Sequence, residues 1–108
     1  MGQRGKGVLV NNSTNPRDAW DDPQLIQAIA QGDTLALEEL YRRHGLALLS
    51  YLTGQVGDAA LAVEILQDVM RAVWQGAAAF RGESRVTTWL LAIARRRAIT
   101  SRQRRRLT

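Results

Sequence analysis

Asp58–Trp74 reads DAALAVEILQDVMRAVW, and its apolar residues return at every third and fourth place. Leu61, Ile65, Val69 and Val73 recur at strict four-residue steps, with Ala62, Leu66, Met70 and Trp74 beside them. That is the period of an α-helix with one buried stripe. Asp58 stands where a carboxylate can cap the first amides. On the N-terminal side, Asp33 caps another helix whose stripe is Leu37, Leu40, Tyr41, Leu48 and Leu52. Glu38, Glu39, Arg42, Arg43 and the lone His44 fall to its solvated side, and Gly54 to Gly57 ends it. Asp22-Pro23 opens a short first helix, with Asp as cap and Pro in the first turn. Its stripe is Leu25, Ile26 and Ile29, and Gly32 stops it. On the C-terminal side, Gly76 and then Phe80–Ser84 mark a loop. A last helix opens near Ser84 with a stripe of Val86, Trp89, Leu90, Ile93 and Ala94, continued only by Ala98 and Ile99. No stretch alternates with period two, so the expected fold is all-α: a small helical bundle of one short and three long helices. Residues 22–108 make its single domain. Residues 1–21, with Gly2, Gly5, Gly7 and the polar run Asn11–Pro16, read as a disordered tail. No Gly-Lys-Ser/Thr follows those glycines, so they do not make a phosphate loop.

The 108 residues contain no Cys and one His. Disulfide scaffolds, zinc fingers, iron–sulfur clusters and thiol catalysis are thereby excluded. Glu64 and Asp68 share a helix face, but a metal site in a bundle also needs ligands from facing helices, and no nucleophile–base–orienter set is present. The expectation is a binding protein and not an enzyme, with no catalytic residues, no metal and no cofactor. No apolar run is long enough to span a membrane and no signal pattern opens the chain, which leads to an expectation of a cytoplasmic protein with no membrane partner.

Charge carries more information. Residues 1–80 hold six basic residues against nine acids, whereas residues 81–108 hold nine arginines against Glu83 alone. Seven of those arginines, Arg95, Arg96, Arg97, Arg102, Arg104, Arg105 and Arg106, sit within twelve residues. A helix end so charged repels itself unless anions neutralise it, and phosphates are the obvious anions. A solvated basic helix end favoured by the helix dipole is the plainer alternative. All basic residues but Lys6 are arginines, which codon bias can explain, although it does not explain the clustering. Phe80 stands beside the Gly82 turn, ahead of the basic helix. It either plugs the bundle end or stacks on an unpaired base. Trp89 lies on the Val86/Ile93 stripe and reads as core more than as a strand-separating wedge.

In order and spacing, these pieces resemble a known family. Gly32-Asp33 with Ala36–His44, Gly57-Asp58 with Leu66–Met70 and Val73-Trp74, and Phe80–Ser84 with Thr88–Leu90 and Ile93–Arg95 are similar to region 2 of bacterial extracytoplasmic-function sigma factors of the sigma-70 family. The resemblance covers roughly residues 22–106. It implies a transcription initiation domain that binds core RNA polymerase at the β′ clamp helices, then recognises and melts the promoter minus-ten element. Carried over by position, polymerase contacts fall on Glu64, Gln67, Asp68, Met70 and Trp74. Contacts to the non-template single strand fall on Phe80, Arg81, Gly82, Glu83, Ser84, Arg96 and Thr100, with Arg95, Arg97, Arg102 and Arg104 following phosphates. The resemblance also implies an anti-sigma factor as partner. Family members often carry aromatics where Val86 and Leu91 stand and Asn where Arg96 stands, so fewer stacking platforms are expected here. Val63 and Met70 also depart from the usual acidic and Phe residues of the polymerase-binding helix. The chain ends where the linker to a second, minus-thirty-five-reading domain would begin, so that domain is expected to be absent. Two other readings stay open: a generic basic helical module that binds nucleic acid without base specificity, and a sigma-like polymerase adaptor that ignores DNA.

Overall fold

A computed structural model of the chain describes residues 15–107. These contain four α-helices and no strand. They are α1 (Asp22–Ala30), α2 (Thr34–Val56), α3 (Ala59–Gly76) and α4 (Val86–Leu107), with a 3-10 turn at Ala77–Ala79 after α3. The expected bundle of one short and three long helices is borne out.

Three aspartates start three helices. Asp33 accepts from the Ala36 amide at 3.1 Å and Asp58 from the Leu61 amide at 3.1 Å, as their positions imply. For α1 the cap is Asp21, one residue earlier than expected. It accepts from the Gln24 amide at 2.9 Å while the Gln24 side chain accepts from the Asp21 amide at 2.8 Å. This reciprocal box satisfies two amides at once and frees Asp22 for another use. Gly57 ends α2 at φ 71°, a left-handed conformation that places its amide 2.8 Å from the Thr53 carbonyl. The last helix begins at Val86, two residues later than expected, and Ser84 lies in the loop.

One core joins all four helices. Leu25, Ile26 and Ile29 of α1 meet Leu40, Leu48 and Leu52 of α2, Ile65, Leu66, Val69 and Val73 of α3, and Val86, Leu90, Ile93, Ala94 and Ala98 of α4. The α3 stripe is buried as its period requires, although Leu61 at its head is only half-buried. Val86 is buried in the core, so a larger residue there would alter packing and not supply a stacking platform.

Helix α2 departs from expectation at three places. Tyr41 is half exposed and not core, whereas Glu39 is completely buried. Glu39 receives Arg42 Nη2 at 2.6 Å and Arg43 Nε at 2.8 Å, so the charge enters the core edge with its partners three and four residues on. The Arg42 hydrogen bond, aided by Arg43, outweighs burial and lowers the Glu39 carboxyl to about 2. His44 is not solvated as expected: its Nε2 lies 2.7 Å from Asp22 Oδ2 and its side chain is largely covered. Arg43 ties the same knot by donating to Asp22 Oδ1 at 3.0 Å and to the Asp18 carbonyl at 3.0 Å.

Residues 1–14 of the expected tail lie outside the described residues. Residues 15–21 are fastened to the bundle. Asn15 donates to the Leu35 carbonyl at 2.9 Å, and Arg17 donates to Asp33 at 2.8 Å while lying 4.7 Å from the Trp20 ring centre. That hydrogen bond from Arg17 holds the Asp33 carboxyl below its ordinary range. A local reading of Asn-Pro and lone charges sees a tail, because the Leu35 and Asp33 that hold it are remote in sequence.

Candidate nucleic-acid interface

Helices α3 and α4 run side by side, and small residues on α3 leave a groove between them. Ala72 and Gly76 form one wall, while Trp89, Arg96, Arg97 and Thr100 form the other, around about 440 Å³ of space. A side chain at Gly76 would grow toward the Trp89 ring, whose Cζ2 lies 3.9 Å from the Cβ position. Trp89 rests partly on the core, as expected, but also forms the floor of this groove. Its role as a wall was not legible from the α4 stripe alone. The absence of bulk at Ala72, Gly76 and Ala79 was the available signal.

Phe80 lies outside this groove but against its Trp89 wall. Its ring centre lies 5.0 Å from that of Trp89, with the planes inclined at 51°, and it packs against the core. Phe80 is partly packed on the bundle core and partly exposed. Gly82 turns the loop at φ 75°, a conformation a side chain would strain, with open space around it. Phe80, Arg81 and Gly82 line a different groove, on the α1 side of the loop. Glu83 and Ser84 are exposed and line neither groove.

The arginines of α4 divide. Arg95, Arg96, Arg97 and Arg104 are exposed, and among the described residues no acid pairs with them. Arg102 instead donates to the Gln55 carbonyl and to its side-chain oxygen, both at 3.3 Å. Arg105 reaches the Val56 carbonyl at 3.5 Å and Asp58 at 4.0 Å. These two cations meet the last carbonyls of α2, the negative end of its dipole. The structure therefore gathers Arg96, Arg97, Thr100 and Phe80 around Trp89, leaves Arg95 and Arg104 on open surface, and turns Arg102 toward the body.

Residues 40–108 match the family model for sigma-70 region 2. The chain belongs to the sigma-70 region 2 family. It is 36% identical over 76 residues to the ECF RNA polymerase sigma factor SigM of Mycobacterium tuberculosis (strain H37Rv), covering 68% of this chain and 38% of that protein. It is 36% identical over 59 residues to the RNA polymerase sigma factor YlaC of Bacillus subtilis (strain 168), covering 55% of this chain and 34% of that protein. The chain thus spans little more than a third of the curated relatives it matches. No solved structure gives a significant match. The resemblance carried by the sequence motifs is borne out, and the chain is a domain of the transcription-initiation sigma factors.

Within this sigma region 2 domain, the outer face of α3 is mixed in character. Glu64 and Gln67 are exposed, Trp74 is 37% exposed, and Val63 is 45% exposed. At about 100° per residue, Gln67 and Trp74 share one line along the helix. Asp68 stands to one side, held by Arg71 at 2.6 Å, and Met70 stands to the other, half-buried against the core. Arg71, to which the sequence motifs assign no role, falls within this face. Among the described residues no cluster of three metal-ligating side chains exists, and no helix is long and apolar enough to cross a membrane.

Proposed function

We propose that this domain docks on core RNA polymerase through the outer face of α3 and captures the non-template promoter strand at the α3/α4 groove and the Phe80 loop. The observation that carries the DNA half is a groove that sets two cations without acid partners, Arg96 and Arg97, beside Thr100 and Trp89, with Phe80 in ring contact with Trp89 from the neighbouring groove. Cations alone hold any polyanion. A half-exposed Phe at a glycine turn adds a face for a base that has left the duplex, which offsets part of the cost of unstacking it. Arg96 offers a planar fork of donors where the family often has an amide, so the base it reads can differ from that of relatives. The polymerase half rests on family membership and on the mixed face of Glu64, Gln67, Asp68, Met70 and Trp74, suited to a partner helix pair. The domain acts by binding, without catalysis or cofactor. An anti-sigma protein is the further partner its family implies.

The first test is a titration against a fragment carrying the β′ clamp helices, with Gln67→Ala/Asp68→Ala as control. Saturable binding that the double variant loses supports the assignment. No binding by a folded domain overturns the polymerase half. The outward Arg95 and Arg104 favour one competing reading, a module that binds nucleic acid by charge alone. Equal loss of specific and non-specific binding in Phe80→Ala would select that module. Polymerase binding with no DNA binding at all would select the adaptor.

A further inference from the structure

We propose that the α1 face bearing Trp20, Gln27 and Gln31 is a second seat for unpaired bases, reached by a strand that continues past the Phe80 loop. The proposal rests on the reading of that loop as a single-strand site. Two shallow grooves adjoin there. One, of about 480 Å³, has Phe80, Arg81 and Gly82 on one wall and Ile26, Gln27 and Gln31 on the other. The next, of about 450 Å³, lies between Trp20 and the same Gln27 and Gln31. Both are in the size range of small-ligand pockets, roughly 300–1,000 Å³. Because the two grooves share these amides, a strand leaving the loop crosses Gln27 and Gln31 to reach Trp20.

The chemistry of this face fits bases and not phosphates. Gln27 and Gln31 are exposed, and among the described residues their side chains make no hydrogen bond. Each amide offers donors and an acceptor, the complement of a base edge. Trp20 is held ready by Arg17, 4.7 Å from its ring centre, and Arg17 is in turn held by Asp33 at 2.8 Å. A fixed indole binds a base at low entropic cost. Among the described residues no cation lines the Trp20 groove, and the guanidinium of Arg17 over the Trp20 ring is already paired with Asp33. Three nearby acids are engaged elsewhere: Asp21 caps α1, Asp22 meets Arg43 and His44, and Asp33 meets Arg17. A strand held here is held by its bases, so this contact should respond little to salt, unlike the contact with α4.

The test uses the whole 108-residue chain and fluorescein-labelled single-stranded DNA. The short probe is the best-bound sequence of about six nucleotides from a random pool, a length within the range single-strand grooves accept. It is then extended at its 5′ or 3′ end by thymidines, or by the same number of abasic nucleotides. The expected result is about tenfold tighter binding from the thymidine extension at one end, the size of one base stacked on an aromatic. The abasic extension, which keeps the phosphates, gives no gain. The gain persists as salt is raised, and it disappears in Gln27→Ala/Gln31→Ala and in Trp20→Ala while the short probe binds as before. The glutamine variant guards against a folding artefact, since both side chains are exposed whereas Trp20 packs on the core. Equal gain from the abasic extension, or a gain that survives the glutamine variant, overturns the proposal. Failure of the loop reading is separable: the short probe would then show no sequence preference and no weakening in Phe80→Ala.

Discussion

The two ends of this bundle treat charge in opposite ways. At the α1–α2 junction the charged groups are consumed: Glu39 by Arg42 and Arg43, Asp22 by Arg43 and His44, Asp33 by Arg17. Along α4 the pattern reverses, and Arg95, Arg96, Arg97 and Arg104 stand exposed without an acid among the described residues. Composition alone treats an arginine in either place as the same residue. The difference is whether the fold supplies the counter-charge. Where it does, the ion pair fixes geometry. Where it does not, self-repulsion is relieved only by a partner. Arg102 and Arg105 mark the boundary, because they sit on α4 yet answer to the end of α2.

The largest effect expected from breaking this contrast is at Glu39. Glu39→Ala should cost about 1–3 kcal/mol of stability, since it removes the buried acceptor of Arg42 and Arg43 and leaves Arg43 with Asp22 alone as counter-charge, and urea unfolding followed by circular dichroism measures it. Chain that remains folded should bind DNA as before, separating the structural end from the binding end. Acid gives the same information without mutation. The Glu39 carboxyl is depressed from 4.5 to about 2 in the folded domain, so its contribution is fully present above pH 4.5 and is lost as pH falls from there toward 2. The urea midpoint should therefore fall through that window, and Glu39→Gln should flatten the fall. A midpoint as steeply acid-dependent in the variant as in the parent would place the sensitivity at another carboxylate.

At the binding end, Phe80→Ala should weaken the preferred single strand by about 1–3 kcal/mol while changing duplex binding much less. Anisotropy titrations on both probes decide it. The smallest effects sharpen the division among the arginines. For a single strand, removing one cation that neutralises a phosphate lowers the salt slope by about 0.7. Arg97→Ala should show that change. Arg102→Ala should show less of it, because Gln55 already holds that guanidinium, and equal slopes for the two variants would erase the distinction drawn from the structure.

Much of the molecule was legible one residue at a time. The four-residue steps of Leu61, Ile65, Val69 and Val73 determined a helix, Asp33 and Asp58 determined two starts, and Gly57 determined a stop. These are local matters, decided by backbone geometry within a turn or two. The division between an acidic body and a basic end was equally plain, because formal charge does not depend on folding. Motif order pointed to residues that lie near one another in the fold, since Arg96, Arg97 and Thr100 share a groove with Trp89 and Phe80 touches the Trp89 ring. What only the tertiary structure decided was which partner each polar group meets. Glu39 was placed outside because a lone carboxylate belongs in water; it lies inside because two arginines and the α1 entry meet it there. His44 looked solvated because Asp22 is twenty-two residues away in sequence, and folding makes them neighbours. Gln27 and Gln31 carried no signal until the Phe80 loop came to rest beside α1. A helix is a property of a segment, but a pair or a groove is a property of two segments, and sequence period describes only one at a time.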